Sequence, residues 1–409
     1  MPPPSPIVVI GGGCVGLSVL RSLSLSTSLL PSPPPLFLLD ASPVPGSGLT
    51  SRNSGVLHSG IYYPPSSNKE RLCLRGRPLL SAFCAGRGVP LSFPGKTVVA
   101  TSPGQLPYLR ELLAKAEALQ ASGLLPPGAV TNLPDAAAVR AAEPRVSALA
   151  GARFATTGVV DVPRFVDALA LACAEAPAAE IAQSAEVVGG RRDEGGWLLD
   201  VRQGSAEYQL RASLVVNAAG LGAAELYGKV VQGPRPPRHF FCQGEWLRLP
   251  GREKIFNGLV YPIPEPGLAG LGVHATVGVG EEGLKDVKFG PDVSWLPAHL
   301  SAGDLGAHYA CSDGESEEGA AKIRRFRRAI ESYFPGVADL ALVPDQVGIR
   351  PKLWHPDALP GGDADFVIRR ERGAGDGWIN LLGIESPGLT SCMAIGEEVA
   401  ALAQDFIER

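Results

Sequence analysis

The opening stretch constrains the fold more strongly than any later part of the chain. An apolar run, Ile7–Ile10, leads directly into Gly11-Gly12-Gly13-Cys14-Val15-Gly16, which contains the pattern G-x-G-x-x-G. A helical pattern begins there, and residues 36–39 form a second apolar run that ends at Asp40. The order of strand, glycine turn, helix, strand and acidic residue predicts a dinucleotide-binding unit. A glycine turn with only a structural role is the alternative.

Each part of this unit has a distinct physical role. Gly11 allows the tight turn, Gly13 lets the backbone approach a pyrophosphate, and Gly16 lets the helix pack closely on the strand. The free N–H groups and positive dipole end of the helix face the phosphates, and Asp40 accepts hydrogen bonds from a ribose diol. The cofactor-binding residues predicted here are Gly11, Gly13, Cys14, Val15, Gly16 and Asp40. The Ser/Pro-rich stretch 22–35 predicts a shortened helix or an added loop before the second strand.

The composition is that of a globular enzyme with room for two domains. The 409 residues are 45% hydrophobic and 19% charged. A net charge of −4 gives no basic field for nucleic acid, and no apolar run reaches the roughly 20 residues of a membrane helix. The N-terminus resembles no targeting peptide, which predicts a cytoplasmic protein, with a mitochondrial protein that has lost its presequence as the alternative. The seven scattered cysteines favour reduced thiols over disulfides or a zinc or other metal site.

Residues 51–63 combine small residues with a single histidine and two tyrosines. Such a segment can lie flat against a ring system and offer backbone N–H groups to it. Because it follows a nucleotide-binding unit, His58 is predicted to lie beside the cofactor, although a structural histidine is the simpler interpretation of that residue alone. Asn53 and Ser54 are also suited to cap the helix predicted at 69–88.

The middle of the chain alternates between helices and strands. Helices are predicted at 107–121, 133–143 and 164–176, and the region of Asp161 and Pro163 is typical of a helix start. Strands are predicted at 96–100 and 185–188, followed by a hairpin of 197–201 and 207–210. The apolar run 214–217, followed by Ala218, Ala219 and Gly220, predicts a return to the nucleotide-binding sheet.

From Phe240 onward the pattern changes to short strands separated by Pro and Gly. Strands at 244–249, 259–262 and 271–277 predict an antiparallel sheet in a second domain. His274 lies in this region, and a substrate role and a core or edge position are both open for it. The basic helix predicted at 320–333 is interpreted as a solvated face, because no nucleic-acid motif accompanies it.

Two cations and a second helix start follow in the last part of the chain. Arg350, with Lys352 nearby, suits the binding of a carboxylate, and an exposed surface pair is the alternative. Residues 378–390 predict a strand and a small-residue turn before a helix at 391–403. The free N–H groups of that helix start can stabilise a partly anionic ring edge, as a reduced flavin presents.

Motifs along nearly the whole chain resemble the L-2-hydroxyglutarate dehydrogenases, which belong to the D-amino-acid-oxidase-like group of FAD-dependent oxidoreductases. The motifs are, in chain order, the opening fingerprint, 53–63 (N-S-G-V-L-H-S-G-I-Y-Y), Gly95-Lys96, 217–220 (N-A-A-G), Tyr261-Pro262, 272–274, 348–350 and 383–390 (G-I-E-S-P-G-L-T). The runs at 53–63 and 383–390 are the specific ones.

This resemblance implies bound FAD and oxidation of the C2 hydroxyl of L-2-hydroxyglutarate to 2-oxoglutarate, by hydride transfer to flavin N5. It places Val187 beside the adenosine and Ser54, Gly55, Gly388, Leu389 and Thr390 along the isoalloxazine. The complete set of cofactor-binding residues expected outside the opening unit is Asn53, Ser54, Gly55, Val56, His58, Val187, Ala218, Gly220, Gly388, Leu389 and Thr390. Relatives often carry Arg or Lys at the position of Gln243. This departure weakens the assignment of L-2-hydroxyglutarate as the substrate.

The reaction needs a base for the hydroxyl proton and a partner for the carboxylate. His58 and His274 are the candidate bases, since neutral histidine titrates in the right range. Arg350 is the expected carboxylate clamp, with Lys352 nearby. Tyr62, Tyr63 and Tyr261 are pocket candidates, with packing equally open for each.

Several functional alternatives remain after this assignment. The substrate is expected to be a small 2-hydroxy acid, and the electron acceptor is a quinone, an electron carrier or oxygen. The rival functions are an FAD-dependent oxidase or dehydrogenase of another 2-hydroxy acid or amino acid, and a flavin-binding protein without turnover. No nucleic acid and no transmembrane segment are expected.

The predicted fold class is α/β (α+β overall). A Rossmann-like FAD-binding domain is assembled from residues 1–92, 150–235 and 345–409. An antiparallel-sheet substrate domain, inserted between these pieces, comprises residues 93–149 and 236–344. The flavin is expected at the interface of the two domains, where ligand sites commonly occur.

Overall fold

The computed structural model describes residues 5–231, 237–251, 255–263, 272–280, 283–360 and 365–407. Its helices are α1 Cys14–Thr27, α2 Asn68–Arg87, α3 Leu106–Ala121, α4 Ala136–Ala142, α5 Val162–Ala174, α6 Ala223–Val230, α7 Glu317–Glu331, α8 Gly388–Leu402 and α9 Gln404–Ile407. No helix among these residues is long and apolar enough to span a membrane.

The strands form two large and two small sheets. In chain order they are β1 Ile7–Ile10, β2 Leu36–Asp40, β3 Val56–Leu57, β4 Leu91–Ser92, β5 Lys96–Ala100, β6 Val130–Leu133, β7 Ala150–Phe154, β8 Gly158–Val160, β9 Ala179–Gln183, β10 Ala185–Asp193, β11 Gly196–Gln203, β12 Ala206–Ala212, β13 Leu214–Asn217, β14 Phe240–Leu249, β15 Leu259–Pro262, β16 His274–Gly280, β17 Gly283–Gly290, β18 Ser294–Trp295, β19 Val343–Lys352, β20 Val367–Arg370 and β21 Trp378–Leu382.

The first sheet is the predicted Rossmann-like unit. Its order is β20-β21-β13-β1-β2-β9, and all neighbours pair in parallel except β20 with β21. Both faces are covered, because Ile7 and Val9 pack in the core beneath α1, α2, α5 and α8, whereas Val8 and Ile10 pack in a second core with the β10-β11-β12 sheet. The prediction that 214–217 returns to this sheet is confirmed, since β13 lies directly beside β1.

The glycine turn fits only glycine because neighbouring backbone lies so close. A Cβ on Gly16 would lie 1.8 Å from the carbonyl oxygen of Gly11, and one on Gly11 would lie 2.3 Å from that of Ala218. Helix α1 continues to Thr27, and residues 28–35 then form the added loop before β2 that the sequence offered as one outcome. The hydroxyls of Ser24 and Thr27 donate to carbonyls four residues earlier, which keeps these polar residues compatible with the helix.

The second large sheet has nine strands in the order β18-β14-β17-β16-β15-β5-β7-β6, with β19 also paired to β14. Its pairs are antiparallel apart from β15 with β5, which are parallel. Helices α3 and α7 pack on it through an apolar core that includes Leu109, Leu112, Phe326 and Ile330. The change to short antiparallel strands after Phe240 is therefore confirmed, with an additional parallel pair that the local pattern did not indicate.

Strand pairing bears on where the two domains divide. Strand β7 pairs with β5, and β19 pairs with β14, so residues 150–154 and 345–352 belong to the nine-stranded sheet rather than to the FAD-binding sheet. The sequence prediction assigned both segments to the FAD-binding domain. Because β7 and β19 pair with strands that are distant in sequence, local patterns do not reveal the sheet to which they belong. The domain boundary predicted between residues 235 and 236 lies outside the described residues. Residue 271, the first of the strand predicted at 271–277, also lies outside them. The division into two domains stays a prediction.

Several element bounds differ from the sequence prediction. The strand predicted at 185–188 continues to Asp193 and forms a hairpin with β11, and the predicted hairpin of β11 with β12 is present. The C-terminal helix begins at Gly388 instead of 391, which brings its N-terminus into the small-residue turn. Asp161 caps α5 through a bond from the N–H of Arg164, as the sequence predicted.

Candidate active site

A cavity of about 1030 Å³ lies between the two large sheets. It exceeds the size of most small-ligand pockets and suits an extended dinucleotide together with a substrate. Most residues predicted for the site line it, namely Gly11, Gly13, Cys14, Val15, Gly16, Asp40, Asn53, Ser54, Val56, His58, Val187, Ala218, Gly220, Tyr261, His274, Arg350, Lys352, Gly388, Leu389 and Thr390. Gly55 and Tyr62 do not line the cavity, whereas Tyr63 does.

The glycine turn and the acid after β2 form one end of the cavity. Asp40 accepts hydrogen bonds from the N–H groups of Gly12 and Ser42, each at 2.9 Å, so this carboxylate also holds the turn in place. The N–H of Cys14, expected to face a phosphate, donates to Oγ1 of Thr50 at 3.0 Å. Thr50 is a residue that sequence reasoning missed, because it lies in a loop with no motif of its own.

Gly55 shapes the loop at this part of the cavity without lining it. Its φ is +67°, and a Cβ there would lie 2.9 Å from the carbonyl oxygen of Val160. Its N–H donates to Oδ1 of Asn53 at 2.7 Å, and its own carbonyl accepts from Val160 N–H at 2.9 Å. Gly55 therefore sets the course of the loop that carries Ser54 and Val56, and a cofactor contact at Gly55 itself stays a prediction.

The N-terminus of α8 meets this loop. Oγ1 of the buried Thr390 accepts from the N–H of His58 at 3.0 Å and donates to the carbonyl of Val56 at 3.3 Å. No side chain caps the helix among the described residues, and its first residues, Gly388 to Thr390, line the cavity. The N–H of Gly388 donates to the carbonyl of Glu385, and the positive dipole end of the helix favours negative charge, which fits the ring edge of a flavin.

A close backbone contact between α2 and α8 provides a test of this helix position. A Cβ on Gly76 would lie 2.2 Å from the carbonyl oxygen of Thr390 and 2.8 Å from Cα of Ser391. Gly76→Ala should therefore displace the start of α8, destabilise the protein by about 1–3 kcal/mol and lower the FAD content of the purified protein. Thermal unfolding and the ratio of flavin to protein absorbance measure both effects.

Gly86, on the same helix, is the matched control. A Cβ there would meet nothing within 4 Å. Gly86→Ala should leave FAD content unchanged and stabilise the helix by up to about 1 kcal/mol. Equal FAD content in the two variants would contradict the role of the α2–α8 contact.

Both candidate histidines lie at the cavity wall, but their ring nitrogens have different surroundings. Nε2 of His58 lies 3.3 Å from Oγ of Ser386, and its Nδ1 is buried without a partner among the described residues. Nδ1 of His274 lies 3.2 Å from the carbonyl oxygen of Gly272. A carbonyl only accepts, so Nδ1 of His274 donates and Nε2 keeps its lone pair.

Burial lowers the pKa of both rings. The pKa of His58 falls to about 3, with contributions from Lys96 and His274. The pKa of His274 also falls to about 3, because burial and the charges of Lys96 and Arg350 outweigh the bond to Gly272. Both rings are therefore neutral at physiological pH, as a general base requires.

Lys96 lies behind this wall and contacts Tyr62, for which the sequence left pocket lining and packing open. It is fully buried in β5, its Nζ has no hydrogen-bond partner among the described residues, and it lies 4.2 Å from the ring centroid of Tyr62 and 4.8 Å from that of Tyr261. Burial lowers the pKa of Lys96 to about 7. Tyr62 thus packs on a cation behind the cavity, while Tyr261 lines the cavity and stacks on His274 with centroids 3.8 Å apart.

Arg350 reaches the cavity from β19. Its guanidinium donates to the carbonyls of Gln243 at 3.0 Å and Asp292 at 2.8 Å, and no carboxylate among the described residues pairs with it. Gly244 leaves room for this group, since a Cβ there would lie 2.4 Å from Nη2 of Arg350. Gln243 itself does not line the cavity and donates to the carbonyl of His308 at 2.7 Å. The arginine is held in place by neutral groups, and its charge is left for an anion.

The chain is similar in sequence to known FAD-dependent oxidoreductases. The sequence model of the family described as "FAD dependent oxidoreductase" matches residues 6–402. The L-2-hydroxyglutarate dehydrogenase, mitochondrial, of Arabidopsis thaliana is 36% identical over 96% of this chain and 82% of its own length. The L-2-hydroxyglutarate dehydrogenase of Escherichia coli K12 is 29% identical over 98% of this chain and 93% of its own length.

A solved structure shows the same fold. Dithionite-reduced L-alpha-glycerophosphate oxidase from Mycoplasma pneumoniae with FAD bound superposes with a TM-score of 0.75 over 99% of this chain and 95% of its own, at 18% identity. The Rossmann-like sheet, the glycine turn and the family match agree with one another. The chain therefore belongs to the FAD-dependent oxidoreductase family and is a relative of the L-2-hydroxyglutarate dehydrogenases.

Proposed function

We propose that this protein oxidises the C2 hydroxyl of L-2-hydroxyglutarate to the ketone of 2-oxoglutarate. The observation that carries the proposal is a neutral base, His274, at the wall of the same cavity as Arg350, which has no carboxylate partner in the part of the chain that the structure describes. The names of the two relatives support the choice of substrate. In the reaction the substrate loses a hydride from C2 and the proton of its hydroxyl.

FAD would be held along the cavity by residues that fit its parts. The glycine turn and the start of α1 suit the pyrophosphate, Asp40 and Val187 suit the adenosine end, and the start of α8 suits the ring. When bound, FAD supplies the two-electron acceptor for the hydride. We propose these contacts between FAD and the individual residues.

His274 takes the hydroxyl proton in this proposal. Its Nε2 keeps a lone pair because Nδ1 is fixed on Gly272, and Tyr261 holds the ring plane by stacking. His58 is less suited, since Nε2 is engaged with Ser386 and Nδ1 is enclosed. His58 instead packs between Ser386 and Thr390 and shapes the flavin side of the cavity.

Arg350 binds the C1 carboxylate next to the reacting carbon. The Nη1 group of Arg350 is the donor left for this carboxylate, because Nη2 donates to the backbone carbonyls of Gln243 and Asp292 and Nε to that of Cys242. The loss of a cation at Gln243 weakens the substrate assignment less than the sequence suggested, because that side chain does not line the cavity. The electron acceptor is a quinone, an electron carrier or oxygen.

An anaerobic titration of the purified yellow protein tests the function. L-2-hydroxyglutarate should bleach the flavin stoichiometrically, whereas D-2-hydroxyglutarate, L-lactate and L-glutamate should not. Bleaching by L-lactate or L-glutamate with equal efficiency would favour an oxidoreductase of another acid. A yellow protein that none of the four reduces would support a flavin-binding protein without turnover.

A further inference from the structure

Three charged side chains from separate elements meet at the cavity wall beside the proposed substrate site. Lys69 belongs to α2, Lys352 ends β19, and Glu385 follows β21. Both lysine ammonium groups contact the same carboxylate oxygen, Oε1 of Glu385, at 2.9 Å from Lys69 and 2.6 Å from Lys352. All three residues line the cavity, and their side chains are only 11%, 19% and 6% exposed, respectively.

The charges of this group do not balance. Among the residues that the structure describes, two ammonium groups face one carboxylate, which leaves one positive charge in a wall with little access to water. Burial by itself would raise the pKa of Glu385, but the two ammonium groups hold that pKa below its usual value, so the carboxylate is ionised. A poorly solvated excess charge is costly unless an opposite charge meets it. The group is therefore built to receive an anion.

The position of Lys352 relates this group to Arg350. The two residues are separated by one position on β19, so their side chains lie on the same face of the strand, about 6–7 Å apart along it. Burial lowers the pKa of Lys352, and the charges of Lys69 and then Arg350 lower it further against the opposing effect of Glu385. Two separate carboxylates of one short molecule can thus meet two cations in the same cavity.

We propose that Lys352, supported by Lys69 and Glu385, binds the second carboxylate of a dicarboxylate substrate and sets the preference for 2-hydroxy dicarboxylates over 2-hydroxy monocarboxylates. This inference rests on the proposed function and deepens it, with Arg350 assigned to the carboxylate next to the reacting carbon. Glu385 holds the two ammonium groups together and leaves only one charge uncompensated. The distal carboxylate supplies the missing negative charge.

Binding of unreactive acids to the holoenzyme tests this subsite. Glutarate lacks the C2 hydroxyl and cannot be oxidised at that carbon, and butyrate also lacks the distal carboxylate. Changes in the flavin absorbance spectrum report the Kd of each. Lys352→Met should raise the Kd of glutarate about 10- to 100-fold and leave that of butyrate unchanged. Lys352→Arg should recover most of the glutarate affinity, because it retains a cation.

Two further variants keep the test decisive. Lys69→Met should raise the Kd of glutarate less than Lys352→Met and in the same selective way, and it carries the test if Lys352→Met retains no FAD. Lys288→Met removes a lysine that pairs with Asp345 at 2.7 Å outside the cavity. This control should leave both Kd values unchanged.

The outcomes separate this subsite from the proposed function. If L-2-hydroxyglutarate reduces the wild-type flavin but Lys352→Met and Lys69→Met weaken glutarate and butyrate equally, or neither acid, the subsite is overturned and the function stands. If glutarate binds the wild type more tightly than butyrate and the variants abolish that difference, the subsite is supported even where the flavin is reduced by a different 2-hydroxy dicarboxylate.

Discussion

Replacement of His274 by Asn should lower the rate of flavin reduction by about 10²- to 10⁴-fold, the usual contribution of a positioned general base. Asn has nearly the shape of the ring edge that bonds the Gly272 carbonyl, but it has no basic nitrogen for the hydroxyl proton. Stopped-flow spectroscopy of the anaerobic protein with L-2-hydroxyglutarate measures the rate. The FAD content of the purified His274→Asn variant and its Kd for glutarate should stay close to those of the wild type.

Two other histidine variants serve as comparisons for His274→Asn. His58→Asn should reduce the rate less, because its Nε2 already contacts Ser386. His355→Asn alters a buried histidine that does not line the cavity and whose Nε2 lies 3.3 Å from the carbonyl of Leu296. It should leave the rate unchanged. A larger loss in His58→Asn than in His274→Asn would move the role of base to His58.

The pH dependence of the same rate provides a second readout. A base whose pKa is about 3 in the free protein is already deprotonated at pH 5. The second-order rate constant for flavin reduction should therefore show no loss through protonation of this base between pH 8 and 5, unlike that of a base with the ordinary histidine pKa of about 6.5. A fall with an apparent pKa near 6.5 that disappears in His274→Asn would show that the ring is more solvated than its position indicates.

The opening unit was predictable because its signals are local. Gly11, Gly16 and Asp40 act within a single strand–turn–helix–strand unit, whose order and spacing in sequence indicate how they are arranged in space. Arg350 and Lys352 were predicted from their residue types and nearness in sequence, and both line the cavity because alternate positions of a strand share a face. These residues needed no knowledge of distant partners.

The parts that sequence missed depend on contacts between distant segments. Lys69 and Glu385 are separated by more than half of the chain. Glu385 belongs to the 383–390 motif, and nothing near it in sequence indicates its two lysine partners. Tyr62 and Tyr63 are adjacent, and only the path of the turn decides which of them reaches the cavity. The placement of β7 in the nine-stranded sheet likewise depends on β5, some fifty residues earlier.

Arg350→Met should lower kcat/KM for L-2-hydroxyglutarate by about 10²- to 10³-fold, the effect expected when one partner of a desolvated ion pair is removed. Most of the loss should fall on KM, because the arginine binds the carboxylate in both the ground state and the transition state. Methionine keeps the length of the apolar stem but removes every donor. Steady-state kinetics with a dye acceptor and the Kd of butyrate, which needs Arg350 but not Lys352, measure the effect.

Arg327 offers a matched control for the structural part of this change. Its guanidinium also donates to backbone carbonyls, those of Val337, Ala338 and Leu340, but it does not line the cavity. If bonding to carbonyls were the only role of Arg350, Arg327→Met and Arg350→Met would lower thermal stability similarly and neither would change butyrate binding. We expect both variants to lose stability and only Arg350→Met to lose butyrate affinity, because only Arg350 offers its charge to the cavity.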